Sequence, residues 1–160
     1  MAKKPKEEDD KEIVASNRKA RFHYEILDSV EAGLSLLGPE VKSVRARNVS
    51  FEGSFARVED DGVHLHNLYI APYAQNTLAP IEPTRRRKLL LRRKEIERLR
   101  GKQETKGLTL VPLEIYFRRG WAKVLLALAK GKRGPDKRAD LRRKQDTREL
   151  ERSFKGKFKN

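Results

Sequence analysis

The sequence contains no cysteine, which excludes disulfide staples and thiolate metal sites. Its imidazoles are limited to His23, His64 and His66. His64 and His66 lie two apart, as on one face of a strand, and two ligands without a third partner make a poor metal site. The simpler reading is a pair of surface strand histidines, so no metal and no other cofactor is expected. Long hydrophobic runs are also missing. The longest, Val124 to Ala129, is far short of the roughly 20 residues a membrane helix needs. The segment from Met1 to Lys11 mixes Lys with Glu7, Glu8, Asp9 and Asp10 and has no apolar stretch, so it does not read as a secretory signal. Enzyme signatures are absent as well. No Gly-rich loop leads into a Lys-Ser or Lys-Thr pair, and there is no nucleophile elbow. Asp60 and Asp61 read as a turn, not a catalytic pair. The expectation is a soluble cytoplasmic protein that is not an enzyme and has no membrane partner.

What the chain has in excess is positive charge. Its 160 residues carry 38 Lys and Arg against 23 Asp and Glu, a net charge of +15 and a pI near 10.2. A surplus of this size points to a polyanionic partner. Its location says more than its total. Residues 85–106 hold 11 basic and 3 acidic side chains, and residues 129–160 hold 13 and 5. The remainder holds 14 and 15, close to neutral. A surface tuned only for solubility intersperses the two signs. Charge concentrated in two blocks attracts phosphates and makes binding depend on salt through counterion release.

Between the charged blocks the pattern is β-rich. Phe22, Tyr24 and Ile26 alternate with polar residues, and Ala32, Leu34 and Leu36 continue the alternation after a turn near Ser29. Pro39 opens a short helical segment from Glu40 to Arg47. Phe55 to Val58 and Val63 to Ile70 flank Asp60-Asp61-Gly62, a hairpin signal. Residues 71–84, with Pro72, Pro80 and Pro83, read as a long loop. Leu89, Ile96 and Leu99 fit one face of a helix whose other side carries Arg93, Arg98 and Arg100. Leu108 to Phe117 and Trp121 to Leu128 form a long hairpin around Arg118-Arg119-Gly120. Three hairpin-like pairs with an inserted helix predict a mainly β protein. Its core is a small antiparallel β-barrel of the oligonucleotide-binding type, with flanking short helices and a basic C-terminal tail.

The domain reading is a disordered N-terminal tail over 1–14, an RNA-binding barrel over 15–129 and a basic tail over 130–160. Leu150, Phe154 and Phe158 follow at four-residue steps, a narrow apolar stripe. It buries too little to hold a helix alone, so the tail is expected to be disordered when free and to become helical on a partner. Two residues stand out by their chemistry. Glu31, placed at the start of a predicted strand, is a carboxylate that can accept hydrogen bonds from a base edge, although an exposed strand-end Glu accounts for it equally well. Tyr73, in the loop after Pro72, is a candidate for stacking on an unpaired base.

A set of short motifs recurs in order along the chain: Asn17-Arg18-Lys19-Ala20-Arg21, Glu31-Ala32-Gly33, Gly38-Pro39-Glu40-Val41-Lys42-Ser43, Arg87-Lys88-Leu89-Leu90-Leu91, Gly107-Leu108-Thr109-Leu110-Val111-Pro112-Leu113, Ala129-Lys130-Gly131-Lys132 and Asp136-Lys137-Arg138. Any one is weak alone. Together, from about Ala15 into the tail, they resemble the SmpB family of SsrA-binding proteins that act in bacterial trans-translation. The resemblance implies an oligonucleotide-binding-type barrel that binds the tRNA-like domain of transfer-messenger RNA and delivers it to stalled ribosomes. It implies RNA contacts from Asn17, Lys19, Arg21, Glu31, Lys42, Lys88, Leu90, Lys130 and Lys132. It further implies that Asp136, Lys137, Arg138, Leu141, Arg142 and Arg143 form a tail helix. That helix would meet small-subunit rRNA at the decoding region and mRNA path, standing in for codon–anticodon pairing. Two positions depart from the family pattern. Pro135 stands where an aromatic or His is common, and Arg143 reverses an acidic position. The chain is expected to be a monomer. Composition alone fits a second reading equally well, a structural ribosomal protein with a tail threaded through rRNA.

Overall fold

The computed structural model describes residues 10–157 apart from residues 77, 78, 106 and 133; the side chains at 134–137, 156 and 157 also lie outside the described residues. In chain order the elements are β1 (Lys11–Ser16), α1 (Ala20–His23), β2 (Tyr24–Leu34), α2 (Gly38–Arg45), β3 (Val49–Ser50), β4 (Phe55–Glu59), β5 (Gly62–His66), β6 (Tyr69–Ile70), β7 (Arg87–Leu90), α3 (Arg93–Gln103), β8 (Leu108–Arg118), β9 (Trp121–Gly131) and α4 (Gly134–Lys157). Six strands close a ring in the order β8–β4–β5–β7–β2–β9 and back to β8, and every pairing is antiparallel. Closure removes free sheet edges, a main route to aggregation. The seam is narrow, because β4 meets β8 only at Ala56 opposite Leu110. Beyond the seam, β1 takes over the same edge of β8, running from Lys11 opposite Arg118 to Ser16 opposite Glu114. β3 and β6 pair separately.

The barrel interior is aliphatic. Val63, Leu65, Leu89, Leu110, Ile115, Val124 and Leu126 are fully buried. Each contributes roughly 1.5–3 kcal/mol of transfer free energy. α3 covers one mouth with Leu99 and Ile96. Gln103 on α3 accepts from the Val58 N–H at 2.8 Å and donates to the Val58 carbonyl at 3.3 Å. α2 sits toward the opposite end of β8, with the Arg45 guanidinium 4.3 Å from the Phe117 ring centroid. A second, smaller cluster lies outside the barrel, where Ala20 of α1 packs on Val111, Leu113, Ala127 and Ala129.

Both expected hairpins form. The β8–β9 turn puts Arg119 and Gly120 at φ of 51° and 79°, the left-handed geometry that matches strand twist in a two-residue turn. Three expectations change. Phe22 belongs to the helical turn α1, and β2 begins only at Tyr24. No turn occurs near Ser29, since β2 runs unbroken to Leu34. A bulge between Ile26 and Asp28 shifts the register. The bulge turns Tyr24 and Ile26 toward the outer cluster, while Val30, Ala32 and Leu34 face the interior. A phase break of this kind looks like a turn in sequence. Finally, Leu89 is not on the helix with Ile96 and Leu99. It lies in β7, paired with Val63 and Leu34, and the seven-residue spacing is coincidental.

Order begins earlier and ends later than the barrel bounds read from sequence. β1 starts at Lys11 within the segment assigned to the N-terminal tail, and β9 extends through Lys130 to Gly131. Residues 1–9 and Phe158 lie outside the described residues.

Candidate nucleic-acid interface

The two ends of the β8–β9 hairpin carry different chemistry. At the end near Leu108, residues 17–21 and 130–132 come together. Pro112 cannot donate to the β ladder, and the register slips just after it. Asn17 fills this irregularity, donating its Nδ2 to the Pro112 carbonyl at 2.9 Å and its backbone N–H to the Leu113 carbonyl at 2.7 Å. Its side-chain amide is thereby committed to holding the chain that carries Lys19 and Arg21. From the other side, the Lys132 N–H binds the His23 carbonyl at 2.9 Å, and its ammonium donates to the Arg21 carbonyl at 2.9 Å. Lys132 also pairs with Asp140, which docks α4 against this corner. Lys19, Arg21 and Lys130 are exposed. Among the described residues these three side chains make no hydrogen bond or ion pair, so they remain available to a phosphate.

Toward the hairpin tip a different group forms. Glu31 is not at a strand start; it lies well inside β2, opposite Leu125. The Tyr116 hydroxyl and Arg118 Nη1, the latter at 2.6 Å, both donate to the same oxygen, Oε2. Burial raises the Tyr116 pKa, and the neighbouring Glu31 charge raises it further, keeping the phenol a donor. Lys11 lies 4.2 Å over the Tyr116 ring and binds Glu114 at 2.8 Å. The carboxylate is thus held in one orientation while a third of it stays open to solvent. Nothing in the sequence links positions 31 and 116. Only the pairing of β2 and β8 to opposite edges of β9 brings them together.

Lys88 and Leu90 lie exposed on the outer face of β7, while Arg87 and Leu89 point inward. Leu90 is 57% exposed, unusual for a leucine on a strand, and it packs across Gly33. A Cβ at Gly33 would sit 3.0 Å from the Leu90 Cβ, so glycine permits this close approach. Lys42 is exposed on α2, with its ammonium 5.1 Å from the Tyr73 ring centroid. Tyr73 is half-buried and donates to Gln75 at 2.7 Å, so Lys42 already lies close to its ring. Trp121, the first residue of β9, is 73% exposed at the hairpin tip.

β7 and α2 are tied together by a buried ion pair. Arg87 is fully buried and Glu40 nearly so. Arg87 donates to Glu40 at 2.6 Å and to the carbonyls of Leu68 and Pro83 at 2.6 and 3.0 Å. Glu40 also accepts from Arg85 and from the Leu37 N–H. Burial alone would raise the Glu40 pKa, but the Arg85, Leu37 and Arg87 contacts outweigh it and hold the carboxyl below its ordinary range.

The histidines also differ from expectation. His64 is buried, not a surface residue, because Asp61 and Glu59 fold over it. In the tail, Arg138, Leu141, Arg142 and Arg143 are exposed along α4. The side chains of Asp136 and Lys137 lie outside the described residues.

A closed antiparallel barrel with free cations at one corner, a fixed carboxylate on its wall and a basic helix projecting from it belongs to the class of barrel proteins that bind oligonucleotides. The SmpB protein family model matches residues 14–156, and the chain belongs to that family. The SsrA-binding protein of Thermus thermophilus is 56% identical over 139 residues, covering 86% of this chain and 96% of that protein. The SsrA-binding protein of Elusimicrobium minutum is 48% identical over 147 residues, covering 92% and 94%. A solved structure described as "tmRNA-SmpB: a journey to the center of the bacterial ribosome" contains a chain that aligns with a TM-score of 0.64 at 60% identity. The alignment covers 75% of this chain and 85% of that one. No helix among the described residues is long and apolar enough to cross a membrane.

Proposed function

We propose that this chain binds the tRNA-like domain of transfer-messenger RNA and delivers it to stalled ribosomes in trans-translation. The carrying observation is the corner where residues 17–21 meet residues 130–132. It presents Lys19, Arg21 and Lys130 exposed and unpaired at one corner of the barrel, in a chain that belongs to the SmpB family. Phosphate contacts there supply affinity. Glu31, oriented by Tyr116 and Arg118, supplies base reading through the part of its carboxylate left open. Lys42, Lys88, Leu90 and Tyr73 extend the RNA face, and Asn17 positions it. Lys132 acts mainly by fixing α1 to the tail, since its ammonium is already engaged.

The barrel and the tail divide the work. The tail, including Asp136, Lys137, Arg138, Leu141, Arg142 and Arg143, meets small-subunit rRNA at the decoding region and mRNA path. In the structure it forms α4, held at its base by Lys132 and Asp140. Beyond that anchor its narrow apolar stripe buries too little to keep it helical in the free protein, and docking completes the helix. The protein acts in the cytoplasm, as a monomer and without catalysis. Glu31→Ala tests the base-reading role. It should weaken transfer-messenger RNA binding by about 1–3 kcal/mol, the value of one base-specific contact, and leave the salt slope unchanged. Wild-type affinity in that variant would remove Glu31 from the reading site.

A further inference from the structure

We infer that the β4–β5 hairpin binds one divalent transition-metal ion of the zinc class, held by His64, Asp61, Glu59 and His66. In sequence, only His64 and His66 lie close together; the hairpin supplies two carboxylates beside them. Glu59 stands opposite Gly62 at the end of β4, and Asp61 occupies the turn. The chain reversal therefore carries both acids back over the outer face of β5. His64 Nε2 lies 2.9 Å from Asp61 Oδ1 and 3.8 Å from Glu59 Oε2. These three donors fall within 4.8 Å of one another. Tetrahedral zinc, with bonds of roughly 2.0–2.2 Å, spaces its donors about 3.3–3.5 Å apart, and the two observed separations bracket that value. His66 Nε2 lies 2.7 Å from Glu59 Oε1 but outside this three-donor cluster; a turn of its side chain brings it in as the fourth donor when an ion enters. Two imidazoles and two carboxylates suit zinc, and the absence of thiolates disfavours copper(I).

The site is largely organised in advance. His64 is buried, and the Phe55 ring stacks on His66 at 5.1 Å with planes 10° apart. Glu59 and Asp61 bring two carboxylates to the site. A cation already answers this charge: Arg86 pairs with Glu59 Oε2 and is half exposed, so it can turn to solvent when an ion enters. The other facing cations are Arg57 and Lys88, the register neighbours of His64 on either side. Both are exposed, and Arg57 leans toward Phe55.

The test uses the full chain, freed of nucleic acid and stripped with a chelator. Zinc chloride is titrated calorimetrically at about pH 7.5, where free imidazole is neutral, and bound metal per chain is measured after gel filtration. One equivalent should bind with Kd near or below about 1 μM. Asp61→Asn and His66→Gln should each weaken binding at least about tenfold with circular dichroism unchanged. Neither side chain is buried, so both variants should keep the fold, unlike His64→Ala, which empties a buried position. No saturable binding, or equal affinity in wild type and both variants, would overturn the assignment.

Discussion

Replacing Arg87 by Met should cost this protein a large share of its stability, and the structure indicates how much. Arg87 reaches the carboxylate of Glu40, the Leu68 carbonyl and the Pro83 carbonyl from a fully buried position. Met keeps most of the apolar stem but removes every donor. Glu40 retains Arg85 and the Leu37 N–H, yet loses its buried partner. Breaking one side of a buried pair costs about 3–5 kcal/mol, out of a total for small domains of about 5–15 kcal/mol. Glu40→Gln should cost a similar amount, because it leaves the Arg87 charge without its counterion. The double variant should recover about 1–3 kcal/mol relative to the sum of the singles, the signature of direct coupling. Urea unfolding followed by far-UV circular dichroism measures all three. Trp121 fluorescence is a poor substitute, since that ring is largely in water.

The same pair predicts a pH dependence. The folded-state pKa of Glu40 lies below its ordinary value of 4.5, so the unfolded chain takes up the proton first. The contribution is therefore complete at neutral pH and is lost as the pH falls from 4.5 toward the folded-state value. Glu40→Gln should flatten this part of the acid-unfolding curve. A loss below about 1 kcal/mol in Arg87→Met, or additive single variants, would refute the account. Because this pair joins α2 with Lys42 to β7 with Lys88 and Leu90, Arg87→Met should also weaken RNA binding under conditions where the protein remains folded.

Lys130→Ala should lower the slope of log affinity against log salt by roughly one unit per lost phosphate contact, measured by filter binding across a salt series. Lys132→Ala should instead loosen the α1–α4 corner, visible as faster amide exchange in residues 20–23, because its ammonium holds Arg21 and Asp140. Gly33→Val should destabilise the barrel by about 1–3 kcal/mol through overpacking against Leu90, read by thermal melting. Deleting residues 141–160, which keeps Lys132 and its partner Asp140, should spare transfer-messenger RNA affinity and abolish tagging on stalled ribosomes; strong amide protection of residues 141–157 in the free protein would contradict their folding on the ribosome.

Much of this architecture was legible in the chain itself. The hairpins at Asp60-Asp61-Gly62 and Arg119-Gly120 follow from local turn chemistry and alternation. So does the helix after Pro39, because these signals span only a few residues. The two basic blocks were equally plain, since charge counting needs no geometry. The misreadings came where a local rule was overridden. The bulge near Leu27 inverted the phase of β2, and Leu89 sat at helical spacing from residues it does not join.

What only the tertiary structure decided was which distant residues meet. Glu31 with Tyr116 and Arg118, Glu40 with Arg87, and His64 with Glu59 are pairings set by ring closure and strand register. Sequence periodicity records which face a side chain takes, but not which strand lies beside it. The missing cysteines and scarce histidines ruled out a thiolate site from composition alone. Whether the two strand histidines have acidic partners was settled by a hairpin that folds Glu59 and Asp61 back over them.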